Sequence, residues 1–312
     1  MTPHPDQLAA LAAIVEHGSF EAAARQLHVT TSAVSQRIRA LESGTGRVLV
    51  ERASPCRATP AGEALVRLAR QVALVYDEAR EHLGDPGPGA VVDLPVAVNA
   101  DSLATWFRPV LAEVAGWDGV RLRLRVEDQG WSADHLRRGD VLAAVTSDPT
   151  PVQGCRVEPL GTLRYRPAVA PALARDRDGA GAGAGALADL PMVVFNAKDR
   201  LQHDLLRRWD LPEPAVVHEV PTSADFVAAI GAGLGWGLVP DPQLAPEIAA
   251  GRLVALDTAG AVEVPLHWQC WRLRTPTLER LSDAVRAAAG ARLAPPARVD
   301  SSTPDATRGR PE

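Results

Sequence analysis

Thr30, Thr31, Ser32, Ser35, Gln36, Arg37 and Arg39 fall within one short stretch. Gln and Arg present paired donors and acceptors that match adenine and guanine edges in the major groove. Ser and Thr near a helix N-terminus suit phosphate oxygens, which the helix dipole also favours. Arg52 and Arg57 follow closely, placed for the DNA backbone or the minor groove. Taken in order, these residues have the chemistry of reading duplex DNA. A second set is spread further along. It comprises the carboxylates Asp101, Glu127, Asp128 and Asp225, the polar Asn99, Ser102, Thr146, Asn196 and Ser223, and the rings of Trp106 and Trp131. Carboxylates or an aromatic face hold a cation. Helix starts at Asp101-Ser102 and Thr222-Ser223 offer N–H groups to a ligand carboxylate. Any one of these residues could equally be a cap or a surface charge.

Positioning the first set takes two crossed helices. Leu8, Leu11, Ile14 and Val15 make an apolar stripe on a helix beginning near Pro5. Gly18 reads as its C-cap and Ser19 as the next N-cap. Ala22, Ala23 and Ala24 keep the second helix thin enough for close crossing. Thr31 or Ser32 then caps a recognition helix whose Val34, Ile38 and Leu41 face the core at i, i+4 and i+7. Val48-Leu49-Val50 reads as a short strand, Ser54-Pro55 as its turn and Arg57 as the return, which makes a wing. From Thr31 to Arg57 five arginines oppose two acids. The reader is therefore locally positive although the chain carries a net −5. A modest positive patch leaves specific binding to base contacts and multivalency.

Residues 59–84 predict a long helix, with Leu65, Leu68, Val72, Val75 and Ala79 on a narrow heptad seam between charged flanks. That stripe suits a partner helix, and two readers on a fixed spacer read two half-sites. Residues 85–90 are too rich in Pro and Gly for a helix and read as a hinge. Strands and helices alternate over 91–292, which argues for a parallel α/β sheet. Strands are expected at Val91–Val98, Val120–Val126, Val141–Thr146, Pro167–Ala170, Met192–Phe195, Val216–Val220, Trp236–Val239 and Leu266–Leu273. One helix is expected over Ser102–Val114. Gly179–Ala186 reads as a flexible loop and 293–312 as a disordered tail. The glycines from Gly231 to Gly237 lack dinucleotide spacing and precede a strand, so they read as a tight turn.

Ser19-Phe20-Glu21-Ala22-Ala23-Ala24, Ser32-Ala33-Val34-Ser35, Ile38-Arg39-Ala40-Leu41-Glu42 and Thr59-Pro60-Ala61-Gly62 carry a resemblance over nearly the whole chain. The sequence resembles the LysR-type transcriptional regulators. Ser35-Gln36-Arg37-Ile38, the wing Pro55-Cys56-Arg57-Ala58-Thr59, and Asn99-Ala100-Asp101-Ser102-Leu103-Ala104-Thr105-Trp106 resemble its ArgP/LysG-type branch. The resemblance implies a winged helix-turn-helix over 1–58, a dimerising linker helix over 59–84, and a two-lobed, periplasmic-binding-protein-like effector domain over 91–292. Lobe I would take about 91–162 and 266–292, and lobe II about 163–265. It also implies homodimers assembling into tetramers, contact with RNA polymerase, and control of a basic amino acid exporter. With the carboxylates above, it favours lysine or arginine as effector. Another amino acid or an aromatic acid is the alternative.

Composition fits two parts, since 312 residues are long for one domain. No apolar run approaches a membrane span, and the N-terminus lacks a secretory pattern, so a cytoplasmic location is expected. Cys56, Cys155 and Cys270 make neither a disulfide framework nor a metal site. Cys56 could be a redox sensor or a small packed residue. No cofactor or metal is expected. The sequence holds no nucleophile elbow, metal-spaced His pair or phosphate loop, which argues against an enzyme. A solute receptor without gene control would need a secretory signal and no DNA reader.

Overall fold

Pro5 at the first helical position and the His4 side chain accepting from Asp6 N start α1 (Pro5–His17). The computed structural model describes residues 2–83, 91–127, 132–175, 185–256 and 259–295. Gly18 ends α1 in the left-handed region at φ 73°. Ser19 caps α2 (Phe20–Gln26), accepting from Ala22 N at 3.1 Å. The cap of α3 (Thr31–Thr45) is Thr30, one residue before the expected position. Its hydroxyl accepts from Ala33 N at 3.2 Å. Thr30 is the last extended residue, and only that conformation aims the oxygen back at the first turn.

The wing is β1 (Val50–Glu51) paired antiparallel with β2 (Arg57–Ala58). The first strand thus begins later than Val48, which is exposed. Glu42 on α3 accepts from Leu49 N at 2.9 Å and ties the wing to that helix. Thr59 donates to Val48 O and accepts from Gly62 N, opening α4 (Pro60–His82). A side chain at Gly62 would strike Leu49 O, so the Thr-Pro-Ala-Gly pattern has a steric reason.

The larger part runs β3 (Val92–Asn99), α5 (Ala100–Ala104), α6 (Arg108–Val114), β4 (Val120–Glu127), α7 (Ser132–Arg138), β5 (Ala143–Thr146) and β6 (Cys155–Val169). It continues with α8 (Pro171–Arg175), α9 (Ala186–Asp189), β7 (Met192–Val194), α10 (Leu201–Arg208), β8 (Val217–Glu219), α11 (Ser223–Gly231) and β9 (Gly237–Pro240). It closes with α12 (Asp241–Ala249), β10 (Val254–Ala255), β11 (Val262–Trp271) and α13 (Pro276–Gly290). The main sheet is ordered β10-β6-β11-β5-β3-β4, with β9 also on β6.

The sheet is mixed, which corrects the expectation of a parallel one. β3 is parallel to β4 and to β5, and β7 to β8. β6 and β11 run antiparallel to each other and to their other neighbours. They are the long strands that cross between the lobes. β6 begins at Cys155, not Pro167, because Pro159 and Gly161 interrupt its pattern without ending it. Leu266 pairs with Gly161 and His267 with Pro159, so the ladder shifts register there and continues.

The expected helix over 102–114 is two, α5 and α6. Thr105 breaks it at φ −120°, ψ −99°, its hydroxyl donating to Asp101 O, and Pro109 restarts it. Leu293 and Ala294 do not belong to a loose tail. Ala294 exchanges both backbone hydrogen bonds with Thr162, and Leu293 packs on the core. The expected hinge over 85–90, most of the Gly/Ala loop, and the tail from 296 lie outside the described residues. Among the described residues no helix is long and apolar enough to cross a membrane.

Candidate DNA interface and effector cleft

On α3 the buried side chains are Val34, Ile38 and Leu41. They pack on Leu11 and Ile14 of α1 and on Ala23 and Ala24 of α2. Opposite them, Ser32, Ser35, Gln36 and Arg39 stand at i, i+3, i+4 and i+7, one continuous stripe. Ser32, Gln36 and Arg39 are exposed and Ser35 half-buried. Thr31 lies half-buried in the first turn. Thr30 shares a 3.0 Å hydrogen bond with Ser32, at the end where backbone N–H groups point outward.

Arg37 sits apart from that stripe. It flanks the buried face, and its guanidinium donates to Asp6 Oδ2 of α1 at 3.1 Å. The sequence grouped Arg37 with the base readers, and the structure brings it to an acid on the first helix. Arg52 and Arg57 are exposed on the wing, and the Arg52 guanidinium lies 5.3 Å from the Phe20 ring centre.

Part of the second set, Asn99, Asp101 and Ser102, lies at and just past the carboxyl end of β3. Register places Asn99 beside Glu127, and Thr146 lies opposite His267 of β11. In open α/β sheets ligand crevices form at such strand ends. Asn99 and Ser102 are buried, and their side-chain polar atoms have no hydrogen-bond partner among the described residues. Between them Asp101 joins three elements. Tyr165 of β6 donates to Asp101 Oδ2 at 3.0 Å, and Ser223, at the start of α11, donates to Oδ1 at 2.9 Å. Ser223 Oγ also lies 3.1 Å from Gln243 Oε1 on α12. Gln243 lines a cleft of about 560 Å³ between α5–α6 and α11–α12, together with Thr105, Arg108, Val227 and Glu247.

Other members of the set do not join this group. Asp225 is exposed and serves the cap of α11, its carboxylate accepting from Thr222 Oγ1 at 2.5 Å. Asn196 makes a turn, accepting from Lys198 N at 2.8 Å. Thr146 accepts from Asp148 N at 3.0 Å. Trp106 borders the cleft, but its side chain is fully buried and packs edge-on to Phe107 with ring centres 5.7 Å apart. It offers no open aromatic wall. Asp128, Trp131 and the Glu127 side chain lie outside the described residues. Tyr165 and Gln243 escaped the sequence reading. The Arg164-Tyr165-Arg166 alternation is the signal that could have exposed the first.

His267 is pushed below the ordinary imidazole range, mainly by burial, and is neutral at pH 7. Burial pushes the Cys155 thiol up to about 12 and raises that of Cys270. Neither is a thiolate at neutral pH. Iodoacetamide on the native protein at pH 7.5 is therefore expected to modify Cys56 and spare the other two until the chain is unfolded. Mass spectrometry of the digest checks this, and early label on Cys155 would contradict it. Among the described residues no His, Cys, Asp and Glu cluster could hold a metal ion.

The two sites together define a class, a DNA reader joined to a domain with a small-molecule cleft. Comparison with known proteins agrees. The model for the bacterial regulatory helix-turn-helix protein, lysR family, matches residues 5–63, and that for the LysR substrate binding domain matches 93–290. The lysine export transcriptional regulatory protein LysG of Corynebacterium glutamicum is 46% identical over 284 residues, 90% of this chain and 96% of that protein. The crystal structure of ArgP from Mycobacterium tuberculosis is 45% identical, covers 95% of this chain and 100% of its own, and overlays with a TM-score of 0.85. Full-length LysG from Corynebacterium glutamicum with bound effector Arg is 44% identical, covers 94% and 100%, and overlays at 0.77. The chain belongs to the LysR family of DNA-binding transcriptional regulators, in its ArgP/LysG branch, and this is a family of regulators rather than enzymes.

Proposed function

We propose that this protein senses L-lysine or L-arginine in the cytoplasm and, through that, controls a gene for basic amino acid export. The observation that carries the reading is Asp101, a carboxylate just past the carboxyl end of β3, held by hydroxyls from β6 and from lobe II. A carboxylate so placed complements an ammonium or guanidinium group. Asn99 and Ser102, buried beside it without partners among the described residues, would hold the ligand's other polar atoms. The name of the Corynebacterium glutamicum relative LysG and the arginine bound in its structure support the same ligand class.

DNA reading is assigned to Thr30, Thr31, Ser32 and Ser35 for phosphate, Gln36 and Arg39 for base edges, and Arg52 and Arg57 for the backbone or minor groove. Arg37 would join the base readers on release from Asp6. The chain would act as a homodimer or tetramer and contact RNA polymerase. Leu65, Leu68, Val72, Val75 and Ala79 form the proposed seam along α4. Val75 is 47% exposed and Tyr76 beside it 54%, so apolar surface is available to a second copy. Ligand that favours one assembly over another shifts operator binding by its differential affinity for the two.

A thermal-shift scan against the common amino acids tests the effector. A rise in Tm confined to lysine, arginine and close analogues is expected, because a ligand that binds the folded state raises stability by mass action. A flat response to both would defeat the basic-amino-acid reading and leave the DNA reader in place.

A further inference from the structure

The cleft of about 560 Å³ between α5–α6 and α11–α12 shares Gln243 with the Asp101–Ser223 bridge. Asp101, Ser223, Asn99 and Ser102 do not line it. The cation site at Asp101 therefore lies outside a space that is itself the size of a small-molecule site.

The charge of this space is the opposite of what a lysine or arginine side chain needs. Arg108, at the start of α6, and Arg292, just past α13, both line it and both are exposed. Neither guanidinium has a hydrogen-bond or ion-pair partner among the described residues. Glu247 also lines the cleft, but Arg252 donates to both of its oxygens, at 2.6 and 2.9 Å. That carboxylate is already neutralised, and the two lining arginines are left in excess. A further donor borders the same space. Trp106 is fully buried, and its indole N–H has no acceptor among the described residues. Buried donors are as a rule hydrogen-bonded, and an indole nitrogen can only donate. Val227, Pro242 and Pro246 add apolar wall from α11 and α12.

Guanidinium forks match carboxylates, and apolar walls match a hydrocarbon body. We propose that this cleft is a second ligand site, which takes a small aliphatic dicarboxylate and pairs its two ends with Arg108 and Arg292. Its walls come from α5–α6 on one side and α11–α12 on the other, so an occupant would bridge them.

Calorimetry on the full-length protein tests this, with succinate, glutarate and adipate as probes and butyrate and inorganic phosphate beside them. Wild type should bind the best dicarboxylate about tenfold or more tighter than butyrate, which engages one guanidinium only. It should also bind it more tightly than phosphate, which gains nothing from the apolar walls. Arg108→Gln and Arg292→Gln should each weaken that dicarboxylate about tenfold or more, the usual effect of losing a charge-assisted hydrogen bond. Arg207→Gln is the control, an exposed arginine of α10 outside the cleft, and should change it less than about twofold. No binding of any dicarboxylate would overturn the proposal, as would equal affinity for phosphate or equal weakening in Arg207→Gln.

Titration with L-arginine keeps this site apart from the one at Asp101. Arg108→Gln and Arg292→Gln should hold arginine within about twofold of wild type, and Asp101→Asn should lose arginine and keep the dicarboxylate within about threefold. Loss of arginine binding in either cleft variant would make the cleft part of the effector site and defeat this inference alone. A wild type that binds the dicarboxylate and ignores arginine would defeat the basic-amino-acid reading and leave this one standing.

Discussion

Arg39→Ala is expected to weaken operator binding by about 1–3 kcal/mol and to relax base preference at one position of each half-site. Arg39 is exposed on the polar stripe of α3, off the face that carries Val34, Ile38 and Leu41. A guanidinium there meets base edges when the helix lies in the major groove. Arg37→Ala should behave differently. Its side chain is engaged with Asp6, so a base contact requires that pair to open first. Removing it also leaves Asp6 unneutralised near the duplex, which weakens binding to all sequences alike. Fluorescence anisotropy against the operator and its single-base variants separates the two patterns. If Arg39→Ala discriminates among those variants as well as wild type does, Arg39 is not a base reader.

Asp101→Asn is expected to lower affinity for arginine by roughly 2–5 kcal/mol, the usual cost of truncating one partner of a desolvated charge pair. The substitution keeps shape and removes charge. Tyr165 and Ser223 both donate to Asp101 in this structure, and an amide can accept through one oxygen only. The sharper readout is discrimination between arginine and citrulline, which share a shape but not a charge. Calorimetry should show wild type preferring arginine strongly and the variant preferring neither. A variant that still rejects citrulline would move the cation site away from Asp101.

Much of the reader was legible because its constraints are local. A cap, a glycine in the left-handed region and an i, i+4, i+7 stripe declare themselves within a few residues, and the cap of α3 was missed by one position only. The mixed sheet was not legible. Strand direction depends on which partners meet, and β6 and β11 are separated by the whole of lobe II. Pro159 and Gly161 also disguised the first part of β6 as a break, hiding Tyr165 and its bond to Asp101. For the cleft, helix starts pointed to Asp101 and Ser223, which the structure brings into a hydrogen bond. The same logic selected Asp225, whose carboxylate accepts from Thr222, the cap of its own helix. Residue type alone could not separate a carboxylate that ties β6 to α11 from one that braces a helix cap. The bond between Arg37 and Asp6 was hidden for a similar reason, since the partner lies 31 positions away on another helix.

The helix α4 belongs to two hydrophobic interiors. Val66 is buried among the residues of the reader and Leu74 among those of lobe I, two turns further on. Its melting therefore cannot be confined to either side. A fluctuation that frays the middle of the helix strips a buried apolar group from both interiors at once, so the reader and lobe I share one cooperative unfolding unit. The seam through which copies would pair runs along the same helix, and proteolytic nicking there would cost the protein its fold, its coupling and its assembly in a single event.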